Sequence, residues 1–230
     1  MENGKNYAKE LDKIIDRLEK AEKGNGKPLP SDVSKARLPG RKLLLHSCCA
    51  PCSSYVLEYL REYFDITVFY YNPNITEDGE YKKRVEEQKR LIGEYNRMAK
   101  ARRIEIIEGD YEPDCFYEVA KGLEKCPEGG ERCFRCYELR LRKTAELAEE
   151  KKFDCFTTTL TISPLKNAKK LNEIGEKLER EYGVFFLPSD FKKKNGYKRS
   201  IELSAQFGLY RQDYCGCVYS KREREEKRER

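Results

Sequence analysis

The residues whose types and spacing carry chemistry are thiols. Seven of the ten cysteines in the 230-residue chain fall into three groups: Cys48, Cys49 and Cys52 in HSCCAPCS (46–53), Cys133 and Cys136 in CFRC, and Cys215 and Cys217 in CGC. Cys115, Cys126 and Cys155 stand alone. In an oxidising compartment ten cysteines would read as a disulfide framework, whereas in a reducing one clustered thiols read as metal ligands or redox groups. His46 is the one histidine, so a two-Cys-two-His zinc site is excluded and any metal site must be mostly thiolate, which suits zinc or iron–sulfur. A Cys-x-x-Cys pair at a helix start can bring both thiolates to one metal, with the helix dipole favouring the anion. Adjacent Cys48–Cys49 is not a usual zinc knuckle, although Cys49-x-x-Cys52 is one. A cluster with ligands from the first and second groups fits iron–sulfur chemistry, with structural zinc and plain redox thiols as the alternatives. The CGC pair closes a very small ring if oxidised, and strained disulfides are oxidising and labile. It reads as a redox-active dithiol, the alternatives being further metal ligands or two buried thiols.

These groups need a scaffold. KLLLH (42–46), ITVFYYN (66–72), IEIIEG (104–109), FDCFTTTL (153–160) and VFFLP (184–188) are short apolar or β-branched runs and predict strands. Residues 5–22 carry Tyr7, Leu11, Ile14, Ile15 and Leu18 on one helical face. Further helices are predicted over 53–63, 79–102, 133–152, 167–183 (closed by Gly183) and 197–208. GNGKPLPSD reads as a loop. Strands alternating with helices predict an α/β fold: a five-stranded parallel sheet of Rossmann-like (HUP-type) layout with helices on both faces. Such folds bind ligands beyond the C-terminal strand ends, at the switch in strand order. HSCCAPC, NPNI, GDYEPD, TISPLK and SDFKKKNGYKR each follow a strand, so the polar and thiol residues collect on that edge. The expected division is an N-terminal helix and loop (1–40), a catalytic domain (41–218) and a charged tail (219–230) with no apolar face and no ordered structure.

Charged residues make up 38% of the chain and the net charge is +6, which permits a nucleic-acid partner without requiring one. FKKKNGYKR (191–199) has five Lys or Arg in nine residues with Phe191 and Tyr197 interleaved, a pattern that suits phosphates and an unstacked base, though a solvated loop shares it. The RNA-binding candidates are Lys192, Lys193, Lys194, Tyr197, Lys198 and Arg199, with Asn72, Asn74, Ser163 and Lys166 for the base or its phosphates. The polar N-terminus carries no secretory pattern and no run approaches the length of a membrane span, so a cytoplasmic protein with no membrane partner is expected.

Taken in order, HSCCAPCS, YYNPNI, GDYEP, CFRCYELRL, FTTTLTISPLK and FKKKNGYKRSIELSAQFGLYRQDYCGC resemble the QueH family of epoxyqueuosine reductases, over residues 42 to 218. The resemblance implies removal of the epoxide oxygen from epoxyqueuosine at the tRNA wobble position, the last step of queuosine synthesis. It implies a 4Fe–4S cluster and a further iron, without cobalamin, and an electron donor that the sequence does not identify. Carried onto this chain, Cys48, Cys49, Cys133 and Cys136 would bind the cluster and Cys215–Cys217 would be the redox-active disulfide. Cys52 would sit behind the ligands or bind the additional iron. Proton donors are sought among Asp110, Tyr111, Asp114 and Tyr71. His46 either tunes the thiols by a hydrogen bond or makes a structural contact. Two rivals remain at this level. A sulfur-transferring tRNA enzyme on a related fold would need a glycine-rich phosphate loop, but SCCAPCSS has no glycine. A zinc-stabilised RNA-binding module would leave CGC without a purpose.

Overall fold

The computed structural model describes residues 5–22, 41–98 and 102–229. The loop read over 24–32 lies outside them. Among the described residues five strands form one sheet: β1 (Lys42–His46), β2 (Asp65–Tyr70), β3 (Glu105–Glu108), β4 (Cys155–Thr158) and β5 (Phe185–Phe186). The order is β3-β2-β1-β4-β5 and every pairing is parallel, with Leu43 opposite Ile66 and Cys155. The expected Rossmann-like α/β sheet is therefore the one that forms. Its direction of growth reverses beside β1, so the switch point lies between β1 and β4.

Among the described residues eight α-helices accompany the sheet: α1 (Tyr7–Glu22), α2 (Ala50–Leu60), α3 (Asp78–Arg97), α4 (Pro113–Ala120), α5 (Glu131–Glu150), α6 (Ala168–Tyr182), α7 (Gly196–Gln206) and α8 (Val218–Arg228). Side chains alternate across a strand. Leu43, Leu45, Ile66 and Val68 therefore face α1, α2 and α3, while Leu44, Phe69, Phe156 and Phe186 face α5 and α6. Helix α1 lays Leu11, Ile15 and Leu18 into the first of these cores, so it belongs to the same body as the sheet. α7 packs on α2. α6 ends at Gly183 in the left-handed region (φ 71), as its position predicts.

The tail departs from expectation. Residues 218–228 form α8 despite lacking an apolar stripe. Cys217 caps it, its sulfur accepting from the Ser220 amide at 3.3 Å. Arg132, 2% exposed, donates to Glu223 at 3.2 Å and lies 4.4 Å from the Tyr219 ring centre. Tertiary anchors, not amphipathicity, order the segment. No described helix is long and apolar enough to cross a membrane.

Candidate thiol site

The first thiol group forms because β1 ends where α2 begins. Cys49 is extended (φ −175) and caps α2, with proline in the first turn fixing the helical entry. Cys48, Cys49 and Cys52 converge, their sulfurs all within 4.8 Å of one another, with Cys48 and Cys49 at 3.9 Å. The loop is braced from beneath. Ser47 donates to Gln88 at 2.8 Å, Ser53 donates to the Cys49 carbonyl at 2.9 Å, and the Cys48 amide donates to Thr159 at 3.2 Å. Of the three, Cys49 is the thiol whose ionisation the site favours. Hydrogen bonds from Cys48 and Cys52 hold its pKa well below the ordinary value. Hydrogen bonding to Cys49 pushes Cys48 up to about 11, and its bonds with Cys48 and Cys49 raise Cys52.

Cys133 and Cys136 stand in the first turns of α5, and the Gly129 amide donates to the Cys133 sulfur at 3.2 Å. Burial raises both, Cys136 to about 12. The structure brings them to Cys215 and Cys217: all four line one small void of about 10 Å³. Cys215 and Cys217 are free thiols here, with Gly216 between them at φ 112. Their turn is tied down by Asn74 and Arg84, which donate to the Cys215 carbonyl at 3.3 and 3.2 Å, and by the Thr76 amide, which donates to Gly216 at 3.2 Å.

A larger cleft of about 380 Å³ opens beside this void, at the switch point. Cys48, Cys49, Cys52 and Cys215 line it, and Cys215, Glu128, Arg140 and Lys166 are common to both spaces. All seven grouped thiols thus surround two adjoining cavities. Cys155 does not join them; it is buried in β4, its thiol directed at the Lys42 carbonyl.

Other expected residues separate. Ser163, Lys166 and Tyr197 line the cleft, and Asn74 lines the small void. Lys192, Lys193, Lys194, Lys198 and Arg199 line neither. Lys192 pairs with Asp190 at 2.9 Å, Lys194 with Asp12 at 2.6 Å, and Arg199 with Glu58 at 2.7 Å. Phe191, expected at an RNA surface, is 3% exposed and packs in the core. Asn72 is buried and donates to the Ser47 carbonyl at 2.8 Å, joining the loops after β1 and β2. Asp110 and Tyr111 follow β3, the outermost strand, and line neither cavity; Tyr111 packs on Tyr81 at 4.5 Å between centroids. Tyr71 donates to Glu112 at 3.0 Å. His46 is fully buried between Thr158 (2.8 Å) and the Tyr71 carbonyl (3.2 Å). Burial, then the Arg140 charge, lowers its pKa to about 3, so it is a neutral structural contact.

Sequence reading missed the buried cations. Arg84 and Arg140 are 2% and 1% exposed, and Lys166 is 9% exposed. Burial opposes the charge of each, but the thiols they face, joined by Glu80 at Arg84 and by Tyr137 and Glu128 at Lys166, raise all three. A signal existed. Arg84 and Gln88 occupy the apolar stripe of α3 with Tyr81, Val85, Leu91, Ile92 and Tyr95, and Arg140 lies one turn beyond Cys136. Several buried donors have no partner: Tyr70 Oη, Tyr137 Oη, Arg84 Nη2 and Arg140 Nη2. Thiols ringed by unpartnered N–H and O–H donors and buried cations fit a group that is anionic and accepts hydrogen bonds, as a thiolate-ligated iron–sulfur cluster does.

The fold and site together define a class: a Rossmann-like α/β protein whose switch-point site is built of thiols and buried cations where a phosphate loop would stand. A family model described as "Epoxyqueuosine reductase QueH" matches residues 43–223. The chain is 43% identical to the epoxyqueuosine reductase QueH of Staphylococcus epidermidis, covering 92% of this chain and 90% of that one. It is 46% identical to that of Streptococcus pyogenes over 77% of this chain and 69% of the relative, and 36% identical to that of Thermotoga maritima over 80% and 93%. The chain belongs to the QueH family of epoxyqueuosine reductases.

Proposed function

We propose that this oxidoreductase converts epoxyqueuosine to queuosine in the anticodon of tRNA. The reaction takes two electrons and two protons; both epoxide C–O bonds break, a C=C bond forms, and the oxygen leaves as water. The observation that carries this reading is the gathering of seven thiols and three buried cations around two adjoining cavities at the switch point.

Cys48, Cys49, Cys133 and Cys136 would hold a 4Fe–4S cluster, with Cys52 placed to serve an additional iron. When bound, such a centre supplies electrons one at a time and an open Lewis-acid position. The chain's own residues do the rest. Cys215 and Cys217 are the dithiol that exchanges electron pairs with an external reductant, and Cys215 lines both cavities, between that pair and the cleft. Ser163, Gln212 and Asp213 offer hydrogen-bonding groups to the modified base, and Gln212 Oε1 is a buried acceptor with no partner. Tyr197 and Tyr214 are the phenols of the cleft wall nearest in kind to a proton source, Glu128 and Asp213 being ion-paired with Lys166 and Arg228 and Asp110 and Tyr111 lining neither cavity. A wobble nucleotide is single-stranded, so its base can enter such a cleft while Tyr197 and Leu165, both exposed, meet its neighbours at the rim. Lys193 and Lys198 would meet phosphates outside it.

Anaerobic purification followed by iron, sulfide and zinc analysis, a visible spectrum and an assay on epoxyqueuosine-containing tRNA tests the reading. Iron and sulfide in about fourfold amount, a broad band bleached by dithionite and turnover are expected. A colourless zinc protein that stays colourless after iron–sulfide reconstitution overturns it.

A further inference from the structure

Three buried cations face the thiols, and their partners are unequal. Arg84 is answered by Glu80, whose carboxylate accepts from its Nε at 2.6 Å. Lys166 is answered by Glu128 at 3.2 Å. Among the described residues Arg140 has no carboxylate partner. Its Nε donates to the Cys136 carbonyl one turn back on α5, at 3.1 Å, and its Nη2 meets nothing. The groups around it are Cys136, Cys215 and Cys48, one from each thiol group, and the Tyr137 ring at 5.8 Å. His46 also faces it but is neutral and committed to Thr158 and the Tyr71 carbonyl. Glu128 lines the same cavities but is taken by Lys166.

A guanidinium that is 1% exposed and unanswered by any carboxylate is costly, and the cost falls only when an anion arrives. An RNA phosphate is a poor candidate, because the guanidinium is 1% exposed and one thiol from each group faces it. We infer that Arg140 is the counter-charge of the thiolate centre: its free Nη2 donates to the anionic sulfur centre that Cys48 and Cys136 help to hold, with Cys215 beside it, and its charge makes that centre easier to reduce. Arg140 is a positioning residue that acts through the sulfur centre without touching substrate. The inference rests on the iron–sulfur reading above.

The test is a potentiometric titration of the reconstituted full-length protein, followed by visible and EPR spectra, for wild type, Arg140→Gln and Arg140→Lys. Adding an electron to an already anionic centre is opposed when the facing cation is removed. Arg140→Gln should therefore disfavour reduction at least tenfold, about 59 mV to the negative for one electron. It should also lose iron to a chelator faster. Arg140→Lys should restore at least half of the shift. A wild-type midpoint in Arg140→Gln, or a midpoint in Arg140→Lys as low as in Arg140→Gln, overturns the inference. Should Arg140→Gln fail to fold, the lysine variant decides alone: a folded Arg140→Lys protein displaced more than tenfold refutes it, and one within tenfold supports it. Wild-type protein that binds no cluster at all sinks the reading beneath, a result separate from any of these.

Discussion

Replacing Gly216 by alanine probes the one backbone position on which the Cys215–Cys217 turn depends. Gly216 has φ 112, a region L residues rarely adopt. A methyl built there would lie 2.8 Å from Ile75 Cγ1 and 3.1 Å from Arg84 Nη1, with the Ile75 Cα at 3.4 Å. Backbone strain of this kind costs about 1–3 kcal/mol, and forcing a methyl into a packed site costs about 1–3 more. Ile75 and Arg84 are side chains that yield a little, so we expect about 2–4 kcal/mol in total. For a chain of this size that lowers the melting temperature by about 4–16 °C. Gly183→Ala is the control: φ is 71 but nothing lies within 4 Å of the added methyl, so backbone strain acts alone, about 1–2 kcal/mol. Calorimetry of both variants, with turnover on the tRNA substrate, separates the two contributions. Gly216→Ala should melt below Gly183→Ala and lose turnover, because relief of the clash moves the Cys215 carbonyl off Asn74 and Arg84. A Gly216→Ala protein that melts within 1 °C of wild type and keeps its turnover would refute the reasoning.

Arg84→Met removes one member of a buried pair whose partners are 2% and 12% exposed and strands Glu80; a loss of about 3–5 kcal/mol in urea unfolding is expected, and a loss under 1 kcal/mol would show the pair to be solvated. Cys155→Val keeps volume in a strand that lines neither cavity, so it should cost less than about 1.5 kcal/mol and retain full iron, whereas Cys133→Ala should lose iron. Equal iron loss in both would break the division of the thiols. Lys193→Ala with Lys198→Ala should lower the salt dependence of tRNA binding by about two in slope. Arg199→Ala, already paired with Glu58, should change that slope little, and a drop as large as the double variant's would contradict the pairing.

The strands were legible because a parallel sheet buried on both faces demands short apolar runs. KLLLH matches β1 residue for residue. β5 shrank to Phe185–Phe186 because the run meets Pro188, which has no amide for a ladder. α4 was hidden in GDYEPDCFYEVA, where a short helix with proline in its first turn reads as a loop. α8 was hidden because Arg132, Tyr219 and Glu223 hold it through contacts that no period reveals. The thiol groups were legible from spacing. Their pairing was not: CFRC and CGC lie about eighty residues apart and meet only because α5 and the loop before α8 end at the same void. The basic patch misled because charge density says nothing of partners, and Asp12, Glu58 and Asp190 had already claimed three of its five cations.

Two electrostatic costs in the site have a common remedy. Burial raises Cys133, Cys136 and Cys217, so ionising them unaided is unfavourable. Burial likewise penalises the charges of Arg84, Arg140 and Lys166. Arg84 and Lys166 keep Glu80 and Glu128 as partners, but neutral thiols do not answer Arg140. A metal that deprotonated the thiols would give Arg140 an anion and remove both costs at once. On the proposed reading, part of the metal's binding free energy would then appear as folding free energy. Stripping the metal should therefore lower the melting temperature reversibly, more for wild type than for Arg140→Gln, because that variant has one stranded charge fewer in the stripped form. An equal drop in the two proteins, with iron fully removed from both, would mean that the buried cations are stabilised by something other than the thiolate centre.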